Sequence, residues 1–150
     1  MTGPTRRVVA GAIALAAVAP FGFRPAQAAE PVTFDGLYKR FGVLGLAFSD
    51  RLVGLQGRDV VIRGYMAPPL KAESDFFVLT REPLAICPFC QSDSDWPLDI
   101  VVVYLKGSSP LVQAGARVTA TGRLELGSHT DPKTGFVSQV RLVDAGYRGV

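Results

Sequence analysis

The sequence predicts a mainly β protein, a five-stranded OB-like barrel with an N-terminal amphipathic helix, and three observations carry that expectation. Apolar residues recur with a period of two over most of the chain after Gly57, as in half-buried strands. Glycine and proline punctuate these runs at strand-length intervals. Two of the runs also correspond: Gly57-Arg-Asp-Val60-Val-Ile62-Arg-Gly64 and Gly115-Ala-Arg-Val118-Thr-Ala120-Thr-Gly122 place two glycines and two apolar residues at the same offsets. A mid-strand glycine lets a strand bend sharply, and five strands with two such bends suit a small barrel.

The chain begins with a different composition. Arg6 and Arg7 precede an Ala/Val/Leu/Ile run from Val8 to Val18, and Ala26-Gln27-Ala28 has the small residues of a cleavage site, so residues 1–28 read as a signal peptide. The run is shorter than the roughly 20 apolar residues that span a bilayer, and no later stretch approaches that length, so no transmembrane segment is expected after cleavage. Thr5-Arg6-Arg7 with a mild apolar run and Arg24 near the cleavage site suits the twin-arginine route, and general secretion suits it comparably. Either route implies a periplasmic location. Removing Arg6, Arg7 and Arg24 from the 16 Lys+Arg leaves 13 against 13 Asp+Glu, so the formal charge of +3 belongs to the leader. A neutral mature chain has no electrostatic footing for nucleic acid.

Residues 29–56 form an N-terminal helical segment in this reading, and 57–150 the barrel domain. Phe34, Leu37, Tyr38, Phe41, Leu44 and Phe48 recur at three- and four-residue spacing, which predicts a helix over 34–47 despite Gly42 and Gly45. Ser49 caps a second short helix over 50–55, with Leu52 and Leu55 inward and Gly57 ending it. A first strand then turns Val60, Ile62 and Met66 to one face and Arg63 and Tyr65 to the other, stopped by Pro68-Pro69. Asp75 to Arg81 is a second strand with Phe77 and Leu79 inward and Phe76, Val78 and Thr80 outward. Asp99 to Leu105 is apolar on both faces, so this third strand is central or covered. Gly115–Gly127 and Phe136–Ala145 are the fourth and fifth, separated by a polar loop over Ser128–Gly135 that contains His129.

Both cysteines lie between the second and third strands, in Cys87-Pro88-Phe89-Cys90. Two thiols at this spacing can ligate a metal, cycle between dithiol and disulfide, or form a permanent short-loop disulfide. The four residues alone resemble a glutaredoxin-type site, but Gln91-Ser92-Asp93-Ser94-Asp95-Trp96-Pro97 follows where such a site opens a long helix, and acidic neighbours raise a thiol pKa. A haem attachment needs histidine where Gln91 stands. For a metal, Cys87 and Cys90 supply two soft ligands, and Asp93, Asp95 or the lone His129 can complete a tetrahedral zinc shell. Phe89 and Trp96 add apolar mass, as a plug or as a docking surface. Tyr65, Phe76 and Tyr104 are candidates for a stacking platform, without the interleaved basic residues that nucleic acid needs. No Ser/His/Asp set, carboxylate pair or phosphate-cradling loop is evident.

The run Gly57-Arg58-Asp59-Val60-Val61-Ile62-Arg63-Gly64-Tyr65-Met66-Ala67-Pro68, followed by Phe76-Phe77-Val78-Leu79 and the cysteine loop, resembles an uncharacterised family of small exported bacterial proteins, a domain of unknown function. The resemblance spans roughly residues 48–107. It implies an OB-like periplasmic protein, in some bacteria encoded beside a macrolide-exporter-type ABC system and under zinc-responsive control, and it maps the family's cysteine segment onto Cys87 and Cys90. The expectation is therefore an exported, non-enzymatic protein that binds zinc through Cys87/Cys90 and serves an inner-membrane ABC transporter or another periplasmic protein. A thiol-disulfide oxidoreductase and an interaction module with a structural disulfide are the rivals.

Overall fold

The computed structural model describes residues 28–39, 47–68, 75–83, 98–107 and 113–150. The predicted signal peptide, but for Ala28, lies outside them, as do Cys87, Cys90, Asp93, Asp95 and Trp96. The described chain is mainly β, in one six-stranded sheet. Its strands are β1 (Glu30–Val32), β2 (Asp59–Met66), β3 (Phe76–Thr80), β4 (Ile100–Leu105), β5 (Arg117–Thr130) and β6 (Val137–Gly149), with one short helix, α1 (Asp50–Gly54), between β1 and β2.

The strand order is β1-β2-β3-β4-β6-β5, with β2 also paired to β5. This is not the five-stranded OB-like barrel expected from sequence. There is a sixth strand, and β2 meets β3 over only two residue pairs, Tyr65↔Thr80 and Met66↔Leu79. Parallel β1 takes another part of β2, pairing with Val60–Ile62. No described helix is long and apolar enough to cross a membrane.

The N-terminal helix over 34–47 is also corrected where the chain is described. Phe34–Gly36 is a single 3-10 turn, after which Tyr38 and Phe48 form an isolated antiparallel bridge. The spacing that suggests a helix has a simpler origin. A 3-10 turn also puts residues three apart on one side, so Phe34 and Leu37 both reach the core, and Tyr38 stacks on Phe48 with ring centroids 5.7 Å apart. The second short helix forms as the sequence predicts: Ser49 Oγ accepts from Leu52 N at 3.1 Å, Leu52 and Leu55 are buried, and Gly57 leaves the helix at φ +79°.

In β2, Val60, Ile62 and Met66 are buried and Arg63 is exposed, as the two-residue period requires. β4 lies between β3 and β6, the central position its apolar faces suggest. One expectation fails on β3, where all five residues are buried. Phe76 and Val78 pack with Ala67, Ile100 and Val102 in a second cluster, separate from the main core of Phe77, Leu79, Val101, Val103 and their neighbours. Both faces of the β3–β4 hairpin are therefore apolar contacts.

The two corresponding glycine strands turn out to be partners. β2 and β5 run antiparallel with Val60 opposite Gly122, Ile62 opposite Ala120 and Gly64 opposite Val118, so each copy's second glycine faces the other copy's valine. The glycines are required by close approach. A Cβ on Gly64 would lie 2.6 Å from Thr80 O, and one on Gly122 2.7 Å from Ala145 Cβ.

Candidate functional site

The cysteine-bearing segment leaves and rejoins the sheet at one point. Thr80 ends β3 opposite Ile100, which begins β4, and Arg81 N donates to Asp99 O at 3.0 Å beyond that pair. Side chains reinforce the root: Arg81 ion-pairs with Asp35 of the 3-10 turn, and its second guanidinium nitrogen lies 3.6 Å from Asp99. The hydrogen bond to Asp35, then the Asp35 charge, raises the Arg81 pKa further above its ordinary range. Thr80 Oγ1 donates to Glu82 O at 2.7 Å, with Tyr65 O 3.2 Å away. The two ends of the segment are thus held beside each other by backbone and side-chain bonds.

His129 is a strand residue, which corrects its placement in a loop. β5 runs to Thr130, and His129 pairs with Ser138 across the β5–β6 ribbon. The turn between these strands is short because Asp131 Oδ1 accepts from Lys133 N, Thr134 N and Thr134 Oγ1, at 3.1, 2.8 and 2.7 Å. The exposed His129 ring stands edge-on to Tyr104, centroids 6.1 Å apart. Tyr104 is four residues along β4 from Ile100, about 13 Å at strand rise. His129 thus sits by the end of β4 remote from the root of the cysteine segment.

With His129, the residues Tyr104, Leu105, Glu125, Arg141, Val143 and Asp144 line an open pocket of about 250 Å³. Arg141 is committed within it, to Glu125 at 3.0 Å and to Gly127 O at 2.8 Å. The Tyr104 hydroxyl is buried beside Asp131, close enough to feel its charge, without a well-formed hydrogen bond among the described residues. Burial, then the Asp131 charge, pushes its pKa up to about 12, so it stays protonated. Burial also pushes the Asp131 carboxyl upward, but the hydrogen bonds from Thr134 and Lys133 outweigh it and hold its pKa below the ordinary value. Among the described residues no group of three His, Cys, Asp or Glu side chains is placed to hold a metal.

The aromatic platform suggested by sequence is closed. Phe76 packs on Tyr104 and Phe136 at 5.1 and 5.6 Å, and Arg117 covers Tyr65, its guanidinium 5.2 Å from the ring centre.

A feature with no sequence signal lies on the outer face of β2, β5 and β6. An open cleft of about 610 Å³ is walled by β1 and the 3-10 turn and lined on the sheet side by Val61, Arg63, Thr119 and Arg148, with Arg81 at its border. The arginines come from distant parts of the chain, and only the strand register brings them together.

Comparison with known proteins adds a likeness of fold. No family model matches the sequence, and no curated protein matches it. A solved structure, a DUF3299 family protein from Pseudomonas aeruginosa PAO1, is similar with a TM-score of 0.53 at 13% identity, over 83% of this chain and 97% of that one. At that identity the likeness shows the fold alone. A neighbour from a domain-of-unknown-function family fits the resemblance to an uncharacterised family drawn from sequence, at that coarse level.

Proposed function

We propose that this chain is an exported periplasmic accessory or binding protein, not an enzyme, whose Cys87-Pro88-Phe89-Cys90 segment holds a transition metal, zinc first, in the service of an inner-membrane ABC transporter or of metal homeostasis. The observation that carries the reading is the root of that segment. A metal loop works best on a mount that does not move, and residues 84–97 depart from a hairpin buried on both faces and tied by Arg81 to Asp35 and Asp99.

Two thiolates and two carboxylates, Cys87, Cys90, Asp93 and Asp95, make a four-ligand set within the segment itself, suited to zinc. His129 stands by the far end of β4 and is left out of that set. When bound, zinc would cross-link the segment and fix its shape for a partner. Acid would release it as the thiolates protonate.

Elemental analysis of gently purified full-length protein, with alkylation and mass spectrometry of the thiols, tests this. One zinc per chain is expected, lost in Cys87→Ser and Cys90→Ser and retained in His129→Ala. Metal-free wild type with bridged cysteines would establish the structural disulfide instead. Metal-free wild type with a thiol pKa well below the free value of about 8.5 would establish the oxidoreductase.

A further inference from the structure

We propose that the cleft between the 3-10 turn and the outer face of β2, β5 and β6 binds a small multivalent oxyanion through Arg63, Arg148 and Thr119. Arg63 on β2 lies opposite Thr119 on β5, and Thr119 lies opposite Arg148 on β6. Directly paired residues share a face with Cβ atoms about 5 Å apart, so two guanidinium stems rise about 10 Å apart with a hydroxyl between them.

An exposed arginine without a partner is ordinary, and its charge alone says nothing. The distribution of partners among the arginines does. Among the described residues, Arg58, Arg81, Arg123 and Arg141 are paired with carboxylates, Arg51 bonds Pro31 O, and Arg117 bonds the Tyr65 hydroxyl. Arg63 and Arg148 have no such partner among the described residues, and they flank one buried threonine. Thr119 is 4% exposed, and its hydroxyl likewise has no hydrogen-bond partner among those residues, although it borders the cleft. The carboxylate facing this space, Asp35, is held by Arg81. Two guanidinium groups and a hydroxyl without partners among the described residues therefore line one space, in which the acid on the lining, Asp35, is already paired with Arg81.

The ligand chemistry follows. A planar guanidinium fork matches two oxygens of a carboxylate or phosphate, and two forks with a hydroxyl between them suit an anion carrying more than one charge. The cleft volume, about 610 Å³, falls in the range of small-molecule sites. Pro31, Val32 and Phe34 supply an apolar wall for a carbon skeleton.

Isothermal titration of the full chain at low salt with inorganic pyrophosphate in one arm and citrate in the other tests the proposal and separates a phosphoryl from a carboxylate source. Binding of at least one is expected, weakening as sodium chloride rises from about 20 to about 200 mM. Arg63→Gln and Arg148→Gln should each weaken it about tenfold. Thr119→Val, which keeps shape and charge, should weaken it about threefold. Arg123→Gln, outside the cleft, should leave it unchanged. Circular dichroism of each variant shows that the sheet is intact. No binding of either anion by wild type, equal binding by the Arg63→Gln/Arg148→Gln double variant, or binding of polyglutamate but neither small anion would each overturn the proposal.

Discussion

Asp131 shows how much one side chain can decide. Its Oδ1 takes three hydrogen bonds and closes the turn that lets β5 and β6 run as one long ribbon, and Lys133 of the same turn reaches the exposed Asp75 next to β3. Its folded pKa lies below the ordinary 3.8. A carboxylate with a depressed folded pKa adds stability above its unfolded pKa, and that stability disappears as pH falls through the folded value. Asp131→Asn should therefore cost about 1–2 kcal/mol at neutral pH, and the gap from wild type should close below about pH 4. Urea denaturation at pH 7 and at low pH checks this; a gap that persists in acid would assign the loss to shape rather than charge. The sequence pointed to a loop here for an understandable reason. Ser128, His129 and Thr130 are polar and exposed, and composition does not separate a loop from the solvent-facing end of a two-stranded ribbon.

At the scale of elements, the short helix and β2 were legible because their signals are local: a serine cap, a glycine stop and a period of two. The same local reading misread Phe34 to Phe48, since a 3-10 turn and a bridge also place aromatic residues three and four apart. The paired glycine runs were legible as a likeness but not as a contact, because nothing in a sequence says that two similar strands lie side by side. Their pairing yields a prediction. Gly64→Ala and Gly122→Ala should each destabilise by about 2–3 kcal/mol, because the new methyl meets Thr80 O or Ala145 Cβ below 3 Å. Gly146→Ala meets nothing within 4 Å and should change stability by less than about 0.5 kcal/mol. Chemical denaturation of the three variants side by side decides it; equal losses would mean that backbone freedom, not space, is what the glycines provide.

At the scale of the molecule, β6 joins the parts. It runs parallel to β4 and antiparallel to β5, and its last turns of chain pair Tyr147 with Ala120 and Gly149 with Val118. Removing residues 145–150 should leave Val118 and Ala120 without that neighbour and convert cooperative unfolding into a broad transition with dye-binding apolar surface. Calorimetry and dye fluorescence report both, and a sharp transition in the truncated chain would show that β2 and β5 suffice. Such long-range pairing was invisible in the sequence, and with it the arginine cleft, because register between distant strands is settled by the whole fold. The hairpin buried on both faces has a further consequence, for the unfolded chain. Phe76 to Thr80 and Ile100 to Leu105 are uncharged, strongly β-forming runs, the kind that stack into aggregates when exposed. Each is bracketed by charge, Asp75 and Arg81 around the first, Asp99 and Lys106 around the second, placed as gatekeepers against self-association. In the folded protein Asp75, Arg81 and Asp99 serve again as ion pairs, so the residues that keep newly made chains apart are those that clasp the finished sheet.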